Sequence, residues 1–159
     1  MMRIGIGYDI HRLAPGRDLF LGGVRIPCRR GLLGHSDGDA LVHALIDAIL
    51  GAMGEGDIGR LFPDTDDRYE GVRSTDLLRN VMARLKKKKF RVVHADSVVI
   101  AERPKVGPHV EAIKDVLCPM LGLRRDHLGL KAKTNEGLDS AGQGKAIACW
   151  AVVLIGKRT

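Results

Sequence analysis

Residues 35–53 read HSDGDALVHALIDAILGAM, a polar, glycine-containing turn that runs straight into an apolar-periodic segment. Val42, Leu45, Ile46, Ile49 and Met53 recur at helical spacing, which predicts a helix from about Ala40 to Met53 with that stripe facing the core. Asp39 stands where a short carboxylate caps a helix N-terminus. Upstream, RIGIGYDI (3–10) alternates around small glycines and predicts a first strand. LFLGGVRIP (19–27) predicts two short strands joined by the Gly22-Gly23 turn. Downstream, EGDIGRLFPDTDDRYEGVRS (55–74) is a long loop rich in Asp, Gly and Pro, a type that is functional or mobile in a compact domain. Ser74 or Thr75 is expected to cap a helix reaching about Lys87, followed by a long strand over 90–103. Pro108 opens a further helix, which Pro119 ends or bends, and strands over 127–134 and 145–156 close the chain. Hairpin-like and crossover links are mixed. The expected fold is therefore α+β, a mixed sheet of four-stranded type with helices on one face and a small N-terminal hairpin. A length of 159 residues fits a single domain spanning 1–159.

Composition narrows the function classes. No stretch approaches the roughly 18 to 20 apolar residues of a membrane span, and MMRIGIGYDIHR carries charge too early for a signal peptide. A cytoplasmic protein with no membrane partner is expected. Cys28, Cys118 and Cys149 are odd in number and scattered, which argues against a disulfide framework and a thiolate metal knot. Any metal must then rely on His and carboxylate ligands. The net charge of +7 fits nucleic acid, an anionic small substrate or solubility alone. Its densest run, Lys86 to Lys89, ends a helix, where lysines complement the dipole. Aromatic residues make up only 4%, leaving few platforms for stacked bases, so no nucleic-acid partner is expected.

Asp9 and His11 are two apart on the first strand, so their side chains leave one face. His43 lies one helical turn before Asp47 on the following helix. If that helix crosses the strand's end, Asp9, His11 and His43 converge as three N/O ligands with a fourth position vacant, the pattern of catalytic zinc. Spacing alone equally allows a chance DxH pair and an ordinary helix histidine. His35, Ser36, Asp37 and Asp39 crowd the turn before the same helix, beyond what capping requires. Asp57, Asp64, Asp66 and Asp67 lie in the long loop, the last two read as solvated. Lys105 is held between Pro104 and Pro108, and KAKTNEG (131–137) places Lys133, Thr134 and Glu136 at a strand end. A lysine, a hydroxyl and a carboxylate together suit phosphate and a hard cation.

Taken in order, GYDIHR, LGGVRIP, GLLGHSDGDALVHALIDAILGA, GDIGRLFPDTD, ERPKVGPH and KAKTNEGL closely resemble the 2-C-methyl-D-erythritol 2,4-cyclodiphosphate synthase family across nearly the whole chain. The resemblance implies a phosphorus–oxygen lyase of the non-mevalonate isoprenoid pathway. In that reaction the 2-phosphate of 4-diphosphocytidyl-2-C-methyl-D-erythritol 2-phosphate attacks the β-phosphorus of its own diphosphate and expels CMP. It further implies that Asp9, His11 and His43 bind zinc or a similar divalent ion. Glu136 would bind magnesium or manganese bridging the diphosphate. By the same resemblance Thr134 polarises the diphosphate, His35 and Ser36 surround the 2-phosphate, and Asp57 and Gly59 hold the erythritol hydroxyls. Ala101, Pro104, Lys105, Ala132 and Lys133 fall at the cytidine and its phosphates. Asp64 and Asn135 join the substrate-binding positions, and Thr134, Asp47 and His35 are the expected catalytic residues, Asp47 by orienting a metal ligand. The family's members are homotrimers with active sites between subunits.

Three positions depart from the better-known bacterial pattern: Asn135 for a threonine or histidine, Gln143 for an arginine, and Trp150 for a glutamate. The last two bear on a central trimer cavity and leave the chemistry untouched. Two other classes stand beside the synthase, another zinc enzyme such as a phosphohydrolase and a basic nucleic-acid-binding module.

Overall fold

The computed structural model describes residues 1–158. Strand β1 (Met2–Pro15) and helix α1 (Ala40–Met53) form its centre. Along β1 the odd-numbered Gly5, Gly7, Asp9, His11 and Leu13 face the helix layer, while Ile4, Ile6, Tyr8 and Ile10 face the other way. The two glycines let the elements touch backbone to backbone. A Cβ on Gly5 would lie 1.9 Å from the Ala48 carbonyl oxygen, and one on Gly7 would lie 2.0 Å from that of Ala44. Since Ala48 sits over Gly5 and Ala44 over Gly7, α1 runs antiparallel to β1. The next odd-numbered residue, Asp9, therefore meets the turn of α1 that carries His43.

The hairpin β2 (Leu19–Leu21) and β3 (Val24–Ile26) turns at Gly22 and Gly23, both with positive φ as a two-residue hairpin requires. Asp39 ties this hairpin to α1. One carboxylate oxygen accepts from the N–H groups of Val42 (3.1 Å) and Gly22 (2.9 Å), and the other accepts from Gly23 (2.7 Å). The expected N-cap thus also clamps a distant turn. Complete burial pushes the Asp39 pKa up against the pull of those donors.

After the short helix α2 (Ile58–Leu61) come α3 (Ser74–Lys87), β5 (Phe90–Ile100), α4 (Val110–Leu121), β6 (Leu128–Lys133), α5 (Asp139–Gly142) and β7 (Ala146–Lys157). Neither Ser74 nor Thr75 caps α3. Arg73 occupies that position without a side-chain bond, and the Ser74 N–H is taken by Asp37 from the preceding turn, at 3.1 Å. Strand β5 stops at Ile100, three residues short of the expected end.

Among the described residues the main sheet has five strands, in the order β4-β1-β7-β5-β6, and not four. The extra strand, β4 (Arg30–Leu32), pairs antiparallel with Leu13–Pro15. Three residues are too short to carry a readable alternation, so only their pairing reveals them. Strand β7 is antiparallel to both of its neighbours, β1 and β5, and β6 is parallel to β5 after a crossover through α4. The core lies between sheet and helices, with Leu41, Leu45, Ile46, Ile49, Leu78 and Ile113 fully buried. The opposite face of the sheet is apolar and bare: Ile4 is 69% exposed, Ile6 64% and Trp150 43%. Among the described residues no helix is long and apolar enough to cross a membrane. Cys28, Cys118 and Cys149 are free, the last two buried.

Candidate metal centre and substrate clefts

Asp9, His11 and His43 meet where β1 passes beneath α1. Asp9 Oδ2 lies 3.0 Å from both His11 Nε2 and His43 Nδ1, and the two ring nitrogens are 3.1 Å apart. Three donor atoms in one small triangle suit a shared cation. Ligands about 2.0 to 2.1 Å from a tetrahedral zinc are themselves roughly 3.3 to 3.4 Å apart. Among the described residues this is the one cluster of His, Cys, Asp or Glu with metal-site spacing. Burial works against the Asp9 carboxylate, yet hydrogen bonds and charge from His11 and His43 outweigh it and hold its pKa at about 2. Burial likewise opposes a charged His43, but Asp9 wins and raises its pKa above the ordinary 6.5.

His43 is aimed by groups on its other side. Its Nε2 lies 2.8 Å from Ser74 Oγ and 3.1 Å from Ser36 Oγ. The Ser74 hydroxyl donates to Asp37 Oδ1, so its lone pairs are free to accept from His43 Nε2–H. That fixes the proton on Nε2 and turns the Nδ1 lone pair toward Asp9 and His11. Asp37 is itself held by Arg73 Nε at 3.2 Å and by the Ser74 N–H at 3.1 Å. The expectation that Asp47 orients a metal ligand is not met. Its Oδ1 accepts from the Ile58 N–H at 2.7 Å, securing the start of α2, and it makes no hydrogen bond to Asp9, His11 or His43. In the sequence Ser74 reads only as a helix cap, and nothing local links it to a histidine 31 positions earlier.

A cavity of about 430 Å³ opens over the triad, lined also by His35, Ser36, Gly59 and Asp64. Phe62 and Tyr69 close one wall, edge to face at 5.2 Å. Asp57 is exposed beside Gly59, where its Oδ1 caps α2 by accepting from Arg60 N–H at 2.9 Å. His35 Nε2 lies 3.2 Å from the Asp66 carbonyl oxygen. Asp66, expected to be merely solvated, caps the turn at Asp67–Tyr69 and grips Arg68.

The remaining expected residues gather elsewhere. Ala101, Lys105, Ala132, Lys133 and Thr134 line a second cavity of about 350 Å³ with Val106, Gly107 and Pro108. Pro104 follows a cis peptide at its edge. Thr134 Oγ1 donates to Glu136 Oε1 at 3.3 Å, and Asn135 Nδ2 donates to Asp139 at 2.7 Å. Glu136 holds a left-handed backbone with φ 52°, an orientation rare for a side-chain-bearing residue and one met at ligand-binding turns. Strands β1 and β6 are separated by β7 and β5, so three strand spacings, roughly 14 Å, part the two clefts within one chain. One chain thus completes the triad and leaves the second group apart from it.

Residues 2–156 match the model of the YgbB family. The chain is 49% identical to 2-C-methyl-D-erythritol 2,4-cyclodiphosphate synthase of Clostridium acetobutylicum, over 97% of this chain and 99% of that protein. It is 54% identical to the synthase of the same name from Gloeobacter violaceus, over 97% and 94%. A solved 2C-methyl-D-erythritol-2,4-cyclodiphosphate synthase in its CDP-bound form superposes with a TM-score of 0.89 at 47% identity, covering 97% of this chain and all of that one.

Proposed function

The chain belongs to the YgbB family, and from that membership we infer that it is a lyase forming 2-C-methyl-D-erythritol 2,4-cyclodiphosphate in the non-mevalonate isoprenoid pathway. Its substrate, 4-diphosphocytidyl-2-C-methyl-D-erythritol 2-phosphate, closes on itself: the 2-phosphate oxygen bonds to the β-phosphorus as the bond to the CMP oxygen breaks. No protein nucleophile is required. The barrier lies in bringing two anionic phosphates together, so catalysis is positioning and charge neutralisation.

The observation that carries the residue assignments is the triad of Asp9, His11 and His43 facing a cavity of substrate size. Zinc or a similar ion on that triad, with magnesium or manganese at Glu136, would supply Lewis-acid polarisation of the diphosphate. The protein side divides the remaining work. His35 and Ser36, beside the triad, fit the 2-phosphate, and Gly59, Asp57 and Asp64 fit the erythritol hydroxyls. Asp47 keeps α2, and with it Asp57 and Gly59, at the cavity mouth. In the second cleft Ala101, Pro104 and Ala132 fit the cytidine, while Lys105 and Lys133 neutralise its phosphates. Thr134 polarises the diphosphate beside the leaving CMP, and Asn135 braces that turn.

Two features favour a homotrimer with sites between subunits. The bare apolar face of the sheet is a large exposed patch of the kind that marks an interface. The two clefts, apart in one chain, would meet across such an interface. The sole tryptophan, Trp150, packs tilted against Tyr8 within that face, ring centroids 4.5 Å apart.

The test is incubation with the cytidine substrate, zinc and magnesium, followed by phosphorus NMR. Cyclic diphosphate and CMP in equal amounts are expected. Inorganic phosphate instead would favour a phosphohydrolase, and absence of cyclic product from folded, metal-loaded protein would refute the assignment.

A further inference from the structure

A cavity of about 600 Å³ lies at neither cleft. It is a groove between the C-terminal ends of α3 and α4 and the start of β5, on the helix side of the sheet. Strand β5 runs from this groove at Phe90 to the nucleotide cleft at Ile100, roughly 30 Å at a strand's rise per residue. The groove's lining mixes polar and apolar surface: Met82 and Met120 are half-buried, over the buried core residues Leu85, Val92 and Leu121. Lys86, Arg91 and Arg158 form the rim.

The charge around it is one-sided. Lys86, Lys87, Lys89, Arg91, Lys157 and Arg158 are exposed and, among the described residues, make no ion pair. The carboxylate paired at this end is Glu55, already shared by Arg84 and Lys88. A helix dipole accounts for cations in the last turn of α3. It does not account for Arg91 on β5, or for Lys157 and Arg158 at the end of β7. Self-repulsion among such groups is relieved by an anionic occupant. The half-buried Met82 and Met120 beside these charges specify more than a counter-ion: they offer contact for an apolar side chain.

We propose that this groove docks an acidic segment of a partner protein, one that seats an apolar side chain on Met82 and Met120 and flanks it with Asp or Glu. Nucleic acid fits less well, because the one aromatic ring, Phe90, is 7% exposed and lies 5.0 Å beneath the Arg3 guanidinium. No base can stack there. A membrane surface would call for an apolar face that protrudes, and this one is recessed.

The probe is a short fluorescein-labelled peptide with two leucines among glutamates, titrated by anisotropy against the full chain at low salt. Saturable binding is expected, weakened about tenfold or more in the double variant Arg91→Glu/Arg158→Glu and in Met120→Asp. The double variant Arg25→Glu/Arg29→Glu, which changes net charge equally at residues outside the groove, should shift affinity by about twofold or less. Turnover of the cytidine substrate should be unchanged in all of them, which separates this groove from the catalytic assignment. Absence of saturable binding, equal weakening in the control variant, or equal binding of a peptide with glutamine for glutamate would overturn the proposal. So would a preference, lost in the same groove variants, for a uridine oligonucleotide or phosphatidylserine vesicles over the peptide.

Discussion

Asp9, His11 and His43 stand on a strand and a helix that touch backbone to backbone. Lys105, Lys133, Thr134 and Glu136 stand on loops and strand ends at the far edge of the same sheet. The first group is enclosed, with Gly5 and Gly7 fixing the approach of α1 and Ser36, Ser74 and Asp37 fixing the imidazole. The second is more exposed, and its side chains are held by the Thr134–Glu136 and Asn135–Asp139 hydrogen bonds and the Lys105–Glu102 ion pair. The difference teaches that one end of this chain holds its polar side chains in a braced, enclosed cluster, whereas the other presents them on an open edge. A rigid scaffold suits a cation, whose ligands must hold their positions to a few tenths of an ångström. A looser edge suits a nucleotide that must enter and leave.

The sharpest way to break this contrast is His43→Ala. It should abolish retention of the first metal and lower turnover on the order of 10³-fold, with helical circular dichroism preserved. Full activity without bound metal would refute the ligand set. Ser74→Ala removes the hydroxyl that aims His43 and should cost roughly 10- to 100-fold in metal affinity, measured by competition with a zinc indicator. An unchanged affinity would mean that packing alone orients the ring. Glu136→Gln should lower magnesium-dependent turnover by about tenfold with the first metal retained. Loss of zinc would place Glu136 at the other ion.

The smallest effect is in pH. His43 must lose its Nδ1 proton to bind metal, and its pKa is raised, so apparent affinity should fall as pH drops through a value above 6.5. Asp9, held at about 2, stays ionised throughout and adds no step there. In the metal-free protein the same pair stabilises the fold. The share from His43 is complete below 6.5 and is lost as pH rises through its raised folded value. The share from Asp9 is complete above 3.8 and is lost as pH falls toward about 2. The stability gap between metal-free wild type and His43→Ala should therefore be widest between those two ordinary values. A gap that is flat from acid to neutral pH would contradict the Asp9–His43 pairing.

Much of this was legible in the sequence. Helix α1, its Asp39 cap and the Gly22-Gly23 hairpin follow from periodicity and turn chemistry, whereas spacing left the convergence of Asp9, His11 and His43 open and the family resemblance singled it out. What stayed hidden depends on contacts between distant segments. Three-residue β4 has no alternation of its own. Asp37 caps α3 and Ser74 aims His43 across 37 and 31 positions, and Asp47 turns to α2. The alternation of β1 also reads backwards from the usual case: its large apolar residues point away from the helices, and its glycines point in. The sequence pattern identifies the two faces but does not say that the helix packs on the glycine side. That placement explains both the bare apolar sheet and the close approach of Asp9, His11 and His43.

The central claim is that the enclosed end of one subunit works with the open end of its neighbour. Co-expressing His43→Ala with a Lys133→Ala/Thr134→Ala variant, each inactive alone, tests it directly. With sites between subunits, random assembly restores both intact halves to roughly a quarter of the sites, and cyclic diphosphate formation should recover to about that fraction of wild type. With sites contained within single chains, every site in the mixture lacks one half, and no recovery would contradict the account.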